Sequence, residues 1–425
     1  MNILIYNGRY QYNVVRHFVD ICINVLKNRN YNVIIIDETI EKDKTINKVV
    51  ETFSSILVDV VIDLKESDHM NQIIEIFSTQ NIYCVISFNG IGVDIKFDNG
   101  QYLYDLVNTI FLSIYVDHPS YHMERLSENI KNYLCCFNDK EHVEYVNELL
   151  PNHHEIAFFL PHGGLTNNMG QNNQIKTLEE YKNIKSLNIV FAGTFFGNNI
   201  KEWENINVDF PKYILDEVSN LMIFDDYLSI HQAFKIIFEK YKIKFSSVGK
   251  VKLVSIYSMV QGYIRNNLRI KLINELLKSG LQITVCGNGW ENFAKENKNI
   301  NYIGALDIEE NLELIKKAKI LVNVTPTLRN GSHERVFTGM LNNTVLFSDR
   351  SRYYDEFFEN EKDILYYSFN SLDKDIERLK SILSDDKKLF EISQNAYEIA
   401  NKYHTWENRV DTMIEMVNLS KFMDK

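Results

Sequence analysis

The sequence predicts an α/β protein of two doubly wound lobes, and three observations carry that expectation. The chain has 425 residues, more than one hydrophobic core usually supports, so two domains are expected. Short β-branched runs alternate with helical patterns through both halves, as in parallel sheets covered on both faces. Between the halves, after Leu160, comes "PHGGLTNNMGQNNQ", rich in Gly and Asn and lacking apolar periodicity, as a connecting loop would be.

In the first half the expected strands are "NILIY" (2–6), "NVIIID" (32–37), "DVVIDL" (59–64), "YCVISF" (83–88), "IFLSIYV" (110–116), "YLCCF" (133–137) and "EIAFFL" (155–160). A second series follows with "LNIVFAG" (187–193), "LQITVCG" (281–287), "INYIG" (300–304), "KILVNV" (319–324), "TVLFS" (344–348) and "DILYYS" (363–368). The stretch from about 200 to 279 has apolar residues at helical spacing and is expected as a helical insertion in the second lobe. Thr405 is a plausible cap for a last helix beginning "WENRVDTMIEMV". The expected division is a first lobe at 1–170, a linker at 171–186, a second lobe at 187–400, and a closing segment at 401–425 that crosses back to the first lobe.

Composition excludes several classes. Hydrophobic residues make up 45% and charged ones 24%, ordinary globular proportions. A formal net charge of −11 argues against a broad nucleic-acid surface, which needs clustered Lys and Arg. The start "MNILIYNGRY" lacks the parts of a secretory signal, and no apolar run approaches the roughly 18 residues of a membrane span, so a cytoplasmic protein is expected. The five cysteines (Cys22, Cys84, Cys135, Cys136, Cys286) lie in apolar stretches without zinc-ligand spacing and fit reduced core thiols.

The densest polar equipment lies in "TPTLRNGSHERVFTGMLNN", a loop at the carboxyl end of an expected strand that runs into a helix. Ligands bind at such strand ends, and helix amino termini attract anions. Gly331 would let backbone approach an anion. Ser332 and His333 could donate hydrogen bonds, and Arg329 and Arg335 could supply cationic forks. Taken singly, Ser332 is also a cap, Glu334 a dipole partner and Arg335 a surface ion pair; their concentration points to a diphosphate cradle. Val336, Phe337, Met340 and Leu341 face the sheet, and Gly339 permits close packing.

These residues, with "IVFAGTFFGN", "ITVCGNGWENF", "INYIGALDIEENLELIKKAKILVNVTP", "YYDEFFENEKDILYYS" and "YHTWENRVDTM", resemble the carboxyl-terminal part of GT-B fold glycosyltransferases, especially the CgeB-like group, over roughly 187 to 417. The resemblance implies two Rossmann-like lobes facing a cleft, the first taking the acceptor and the second the nucleotide sugar, commonly a uridine diphosphate sugar. It implies a bacterial hexosyl- or N-acetylhexosaminyltransferase with a protein or glycan acceptor. By that resemblance the donor would meet Gly193 and Thr194, Gly287, Asn288, Gly289 and Trp290, Ile303, and Arg329, Asn330, Gly331, Ser332, His333, Glu334, Arg335 and Thr338. Thr338 stands where the group has a ribose-binding glutamate, and a hydroxyl cannot make a carboxylate's paired contact. For Trp290 core packing, and for Gly193 and Gly197 a plain turn, are the competing readings.

In the first lobe, Asp117 and His118 end a strand and are the candidate bases for removing the acceptor's proton, against the simpler reading of a capped turn begun by Pro119. His122, Glu124 and Arg125 follow on the next turn. Asn7 and Gly8, in a loop that is not a dinucleotide fingerprint, and His162 and Gly163 are expected sugar or acceptor contacts. Asp373-Lys374-Asp375, the lone Asp-x-Asp, opens a helix and fits capping better than metal binding, so transfer without a metal or other cofactor is expected. The rival functions are a nucleotide-sugar epimerase of the same architecture and a non-catalytic nucleotide-sugar-binding homologue serving as a partner subunit; an exported solute-binding protein is disfavoured.

Overall fold

The computed structural model describes residues 1–8, 13–37, 60–63, 69–151, 154–166, 173–197, 200–205, 209–245 and 248–423. Arg9 and much of the Asn-rich connection lie outside the described residues. The chain divides into two compact units, the first comprising Met1–Phe137, His142–Leu160 and Arg409–Lys425, the second Asn138–Glu141 and Pro161–Asn408.

The first unit is built on a seven-stranded sheet: β1 (Asn2–Asn7), β2 (Asn32–Asp37), β3 (Val60–Asp63), β4 (Ile82–Phe88), β5 (Ile110–Tyr115), β6 (Tyr133–Phe137) and β7 (Ile156–Phe159). Their order is β3-β2-β1-β4-β5-β6-β7, and every pairing is parallel. β5 and β6 are buried along their whole length, which is why they read as continuous apolar runs. Cys135 and Cys136 point to opposite faces, and both are buried because both faces are covered; all five cysteines are free thiols inside the protein. The last helix, Trp406–Met423, contributes its later turns here. Asp411 accepts both forks of Arg29 at 2.9 and 2.8 Å, and the Lys421 ammonium lies 3.8 Å from the centre of the Tyr83 ring.

The second unit has six parallel strands: β8 (Leu187–Ala192), β9 (Ile283–Cys286), β10 (Ile300–Tyr302), β11 (Ala318–Asn323), β12 (Val345–Ser348) and β13 (Leu365–Tyr366), in the order β10-β9-β8-β11-β12-β13. Three helices, Asp209–Phe224, Ile230–Lys240 and Lys250–Lys278, lie between β8 and β9. The edge strand β13 is shorter than "DILYYS" suggests because Asn360 takes the Tyr366 N–H at 2.8 Å and Asp363 takes the Glu359 N–H at 2.9 Å, closing a turn in place of a ladder.

Strand order reverses between β1 and β4 in one sheet and between β8 and β11 in the other. Such switch points open a crevice at the carboxyl ends of the strands, where ligands bind in open α/β sheets. In the second unit those ends deliver Gly193 and Thr194 from β8 and the 324–333 loop from β11.

Candidate functional site

The helix Glu334–Leu341 follows the β11 loop and is buried from Val336 through Leu341. A Cβ on Gly339 would lie 2.8 Å from Leu346 Cδ2 and 3.0 Å from Leu321 Cδ2, so glycine sets how closely this helix lies on the sheet. His333 occupies the N-cap, accepting the Arg335 N–H at 3.3 Å through Nδ1, the atom that also contacts Glu334. Burial opposes ionisation of Glu334, yet His333, then Arg335 and His162, hold its carboxyl below the usual range. Burial, with Arg335 and Arg269, pushes the His333 pKa down, and Glu334 opposes that shift.

Arg335 lies beside the open end of β8. A Cβ on Gly193 would stand 3.8 Å from its Nη2, and its Nη1 donates to Asn323 Oδ1 at 3.3 Å. Two further arginines, Arg265 and Arg269 on the helix Lys250–Lys278, share this corner. Arg269 donates to the Thr194 carbonyl, and its guanidinium sits 5.4 Å from the Phe191 ring centre and 5.7 Å from that of Phe196. Arg265 lies 5.2 Å from the same Phe196 ring, which is 51% exposed. Arg269 is only 6% exposed, and its pKa is lowered to about 9 by burial first, then by Arg335 and Arg265. The Nε atoms of Arg265 and Arg269 are buried without a hydrogen-bond partner, and among the described residues no carboxylate forms an ion pair with any of the three arginines. Three concentrated positive charges, none of them in an ion pair among the described residues, beside a helix amino terminus make a candidate anion site.

Several expected donor contacts serve the fold instead. Gly331 approaches not an anion but the backbone of Asn138 and Asp139: Ser332 N–H donates to Asn138 O at 3.2 Å, Lys140 N–H to Asn330 O at 3.1 Å, and Asn330 N–H to Asp139 Oδ2 at 3.0 Å. A Cβ there would collide with Asn138 O and lie 2.6 Å from Asp139 Cα. Gly331→Ala should therefore cost about 1–3 kcal/mol, read as a lowered urea midpoint at unchanged slope. Ser332 neither caps the helix nor faces outward; its buried hydroxyl contacts His333 O at 3.1 Å and Tyr354 Oη at 3.3 Å. Arg329 is wholly buried, 3.6 Å from Asp349, so it is not on the open loop. The Thr338 hydroxyl accepts the Leu165 N–H at 3.1 Å and is committed there.

Trp290 is a packing residue. Fully buried, it donates to Gly193 O at 2.7 Å and packs on Phe195 with ring centres 4.8 Å apart. Gly287, at φ 125°, and Gly289, at φ 88°, lie against the carbonyls of Gly193 and Phe195, while Phe195 N–H donates to Asn288 O at 2.8 Å. These residues hold the 193–195 loop in shape from behind. Ile303, by contrast, is exposed after β10. His162 lies near enough to Glu334 to help hold its carboxyl low, and Gly163 passes so close to Trp406 that a Cβ would be 2.7 Å from its backbone nitrogen.

In the first unit, Asp117 is exposed at the end of β5, with His122 Nε2 at 3.9 Å. His118 is buried and its Nδ1 caps the next turn, taking the Ser120 N–H at 3.1 Å and meeting Ser120 Oγ at 2.8 Å. Its ring packs on His142 and Tyr145, with centres at 4.6 and 5.0 Å. Of the two candidate bases, His118 is thus the buried cap of the turn that Pro119 begins, and Asp117 is the exposed one. Asn7, at the end of β1, is buried and donates to Asp37 at 2.9 Å, and Gly8 packs against Ile91. Asp375 accepts Ser368 N–H and Ser371 Oγ, each at 2.9 Å, and pairs with Arg378. Among the described residues no cluster of three or more His, Cys, Asp or Glu has the arrangement to hold a metal ion.

A family model described as glycosyl transferase-like matches residues 265–415, which include Arg265, Arg269 and Arg335. No curated protein sequence matches the chain. Solved structures are similar in fold along the whole chain. Sucrose-phosphate synthase from Thermosynechococcus elongatus aligns at TM-score 0.52 and 10% identity over 100% of both chains. HepE of Anabaena in complex with UDP aligns at 0.52 and 9% over 98% of this chain and 100% of its own. An alpha-glucosyltransferase in complex with UDP-glucose and DNA containing an abasic site aligns at 0.52 and 10% over 98% and 99%. The fold is that of the GT-B glycosyltransferases. Within this GT-B chain, the arginine corner stands at the switch point of the second Rossmann-like sheet. Among the described residues no helix is long and apolar enough to cross a membrane.

Proposed function

We propose that the protein transfers a sugar from a nucleotide diphosphate sugar, with uridine diphosphate as the nucleotide, to a hydroxyl on a protein or glycan. The observation that carries this reading is the meeting of Arg265, Arg269 and Arg335 beside Gly193 and the Glu334 helix, where a diphosphate would take up hydrogen bonds the arginines otherwise lack. That HepE and the alpha-glucosyltransferase are seen with UDP or UDP-glucose supports the choice of nucleotide.

As the bond from the anomeric carbon to the diphosphate breaks, negative charge grows on the leaving oxygen. The guanidinium groups and the helix end are fixed in place to offset it, which is the most effective form of electrostatic catalysis. We therefore assign metal-independent transfer, with the exposed Asp117 carboxylate as the acceptor of the hydroxyl proton.

The test is nucleotide release from a panel of nucleotide sugars, with and without chelator. Release that survives chelation and falls at least about tenfold in Asp117→Asn is the expected result. Interconversion of donor sugars without release would make the protein an epimerase. UDP binding without turnover of any donor would make it a non-catalytic homologue.

A further inference from the structure

Asn323 ends β11, is fully buried, and uses every polar group it has. Its Oδ1 accepts from Arg335 Nη1 at 3.3 Å. Its Nδ2 donates to Ser348 Oγ at 2.9 Å and Thr325 Oγ1 at 3.2 Å, and its carbonyl accepts from Tyr367 Oη at 2.8 Å. Thr325 and Ser348 are fixed in turn: Asp349 accepts the Thr325 N–H at 3.0 Å, and Ser348 Oγ donates to the Asp349 carbonyl at 2.9 Å. The amide is therefore locked in one orientation, oxygen toward Arg335, because turning it over would set its NH₂ against a guanidinium.

We propose that Asn323 is a positioning residue that aims Arg335 at the diphosphate, which rests on the sugar-transfer reading above. Arg335 would otherwise be a long, flexible side chain repelled by Arg269 from the neighbouring helix, and among the described residues the hydrogen bond made by its guanidinium is the one to Asn323. A neutral acceptor suits this task. It directs the guanidinium without neutralising it, so the full charge stays available to the ligand. A carboxylate at the same place would hold Arg335 more tightly and compete with the diphosphate for it.

Asn323→Asp tests this, being nearly the same shape but losing both donors and adding a charge. UDP affinity is measured by calorimetry for the wild type, Asn323→Asp, Arg335→Ala and the double variant, with melting temperatures recorded for each. Asn323→Asp is expected to weaken UDP binding by about tenfold in the wild-type background and by less than about twofold when Arg335 is already alanine. An equal loss in both backgrounds, or none in the first, overturns the proposal. If Asn323→Asp does not fold, Ser348→Ala loosens the same amide from behind and is expected to weaken UDP by about threefold, again only while Arg335 is present. An unchanged affinity in Arg335→Ala alone refutes the diphosphate site itself, an outcome distinct from failure of the coupling.

Discussion

Arg269→Met is expected to raise the melting temperature of the ligand-free protein while raising the Kd for UDP by about ten- to a hundredfold. The two effects have one cause. Arg269 is buried among apolar and aromatic side chains with Arg265 and Arg335 beside it, and these conditions bring its pKa down to about 9. At neutral pH it stays charged, so the folded state carries the desolvation and repulsion that the lowered pKa reports, on the order of a few kcal/mol. Methionine keeps the apolar stem and removes that cost, losing the bond to the Thr194 carbonyl and the contacts of the guanidinium with the Phe191 and Phe196 rings. A bound diphosphate reverses the balance, because a charge-assisted hydrogen bond contributes about 1.5–3 kcal/mol. Differential scanning fluorimetry with and without UDP reads both effects. A lower melting temperature with UDP affinity intact would make Arg269 an ordinary structural residue.

The second large effect concerns Asp139. Its carboxylate is buried beneath the 330–332 loop, accepting the Asn330 and Glu141 N–H groups at 3.0 and 2.8 Å. Burial raises its pKa to about 7 despite those hydrogen bonds. Between the ordinary value of 3.8 and about 7 the folded state binds more protons at Asp139 than the unfolded one, so the contribution of this group to stability is greatest below about pH 4 and declines as pH rises to neutrality. The decline is roughly 4 kcal/mol at 1.36 kcal/mol per pKa unit. Asp139→Asn removes this dependence. Its urea midpoint is therefore expected to fall below that of the wild type at about pH 5, where one hydrogen bond is lost, and to approach or exceed it at about pH 8. Asp349, raised by burial to about 6 though Arg329 opposes it, acts in the same direction but is present in both proteins and cancels. Parallel midpoint curves would show that Asp139 is already ionised at low pH.

The strands were legible because parallel sheets covered on both faces require unbroken apolar runs, and "NVIIID" and "YLCCF" coincide with β2 and β6 to the residue. The helix at Glu334 was legible for a similar reason, since its polar start and apolar face are local features. Arg265 and Arg269 were not. They lie four residues apart in a 29-residue helix with apolar residues on several sides, where a pair of arginines resembles any wet surface. The spacing in "RNNLR" was the available signal, and only β8 beneath it gives that signal meaning. The packing partners of Gly331, Ser332 and Trp290 were hidden for the opposite reason. Their partners, Asn138 and Asp139, Tyr354, and Gly193, are distant in sequence, and a close approach between remote segments leaves no local mark.

The chain leaves one unit for the other after Phe137, after Glu141, after Leu160 and after Asn408. A single cut therefore cannot yield two whole halves. Severing the protein at Leu160 strands a helix segment on one fragment and takes Asp139 from beneath the loop it supports on the other. Recombination meets the same obstacle, since the second unit cannot be exchanged by one junction without also exchanging a four-residue stitch and leaving the tail behind. Exchange of either unit therefore needs several coordinated junctions.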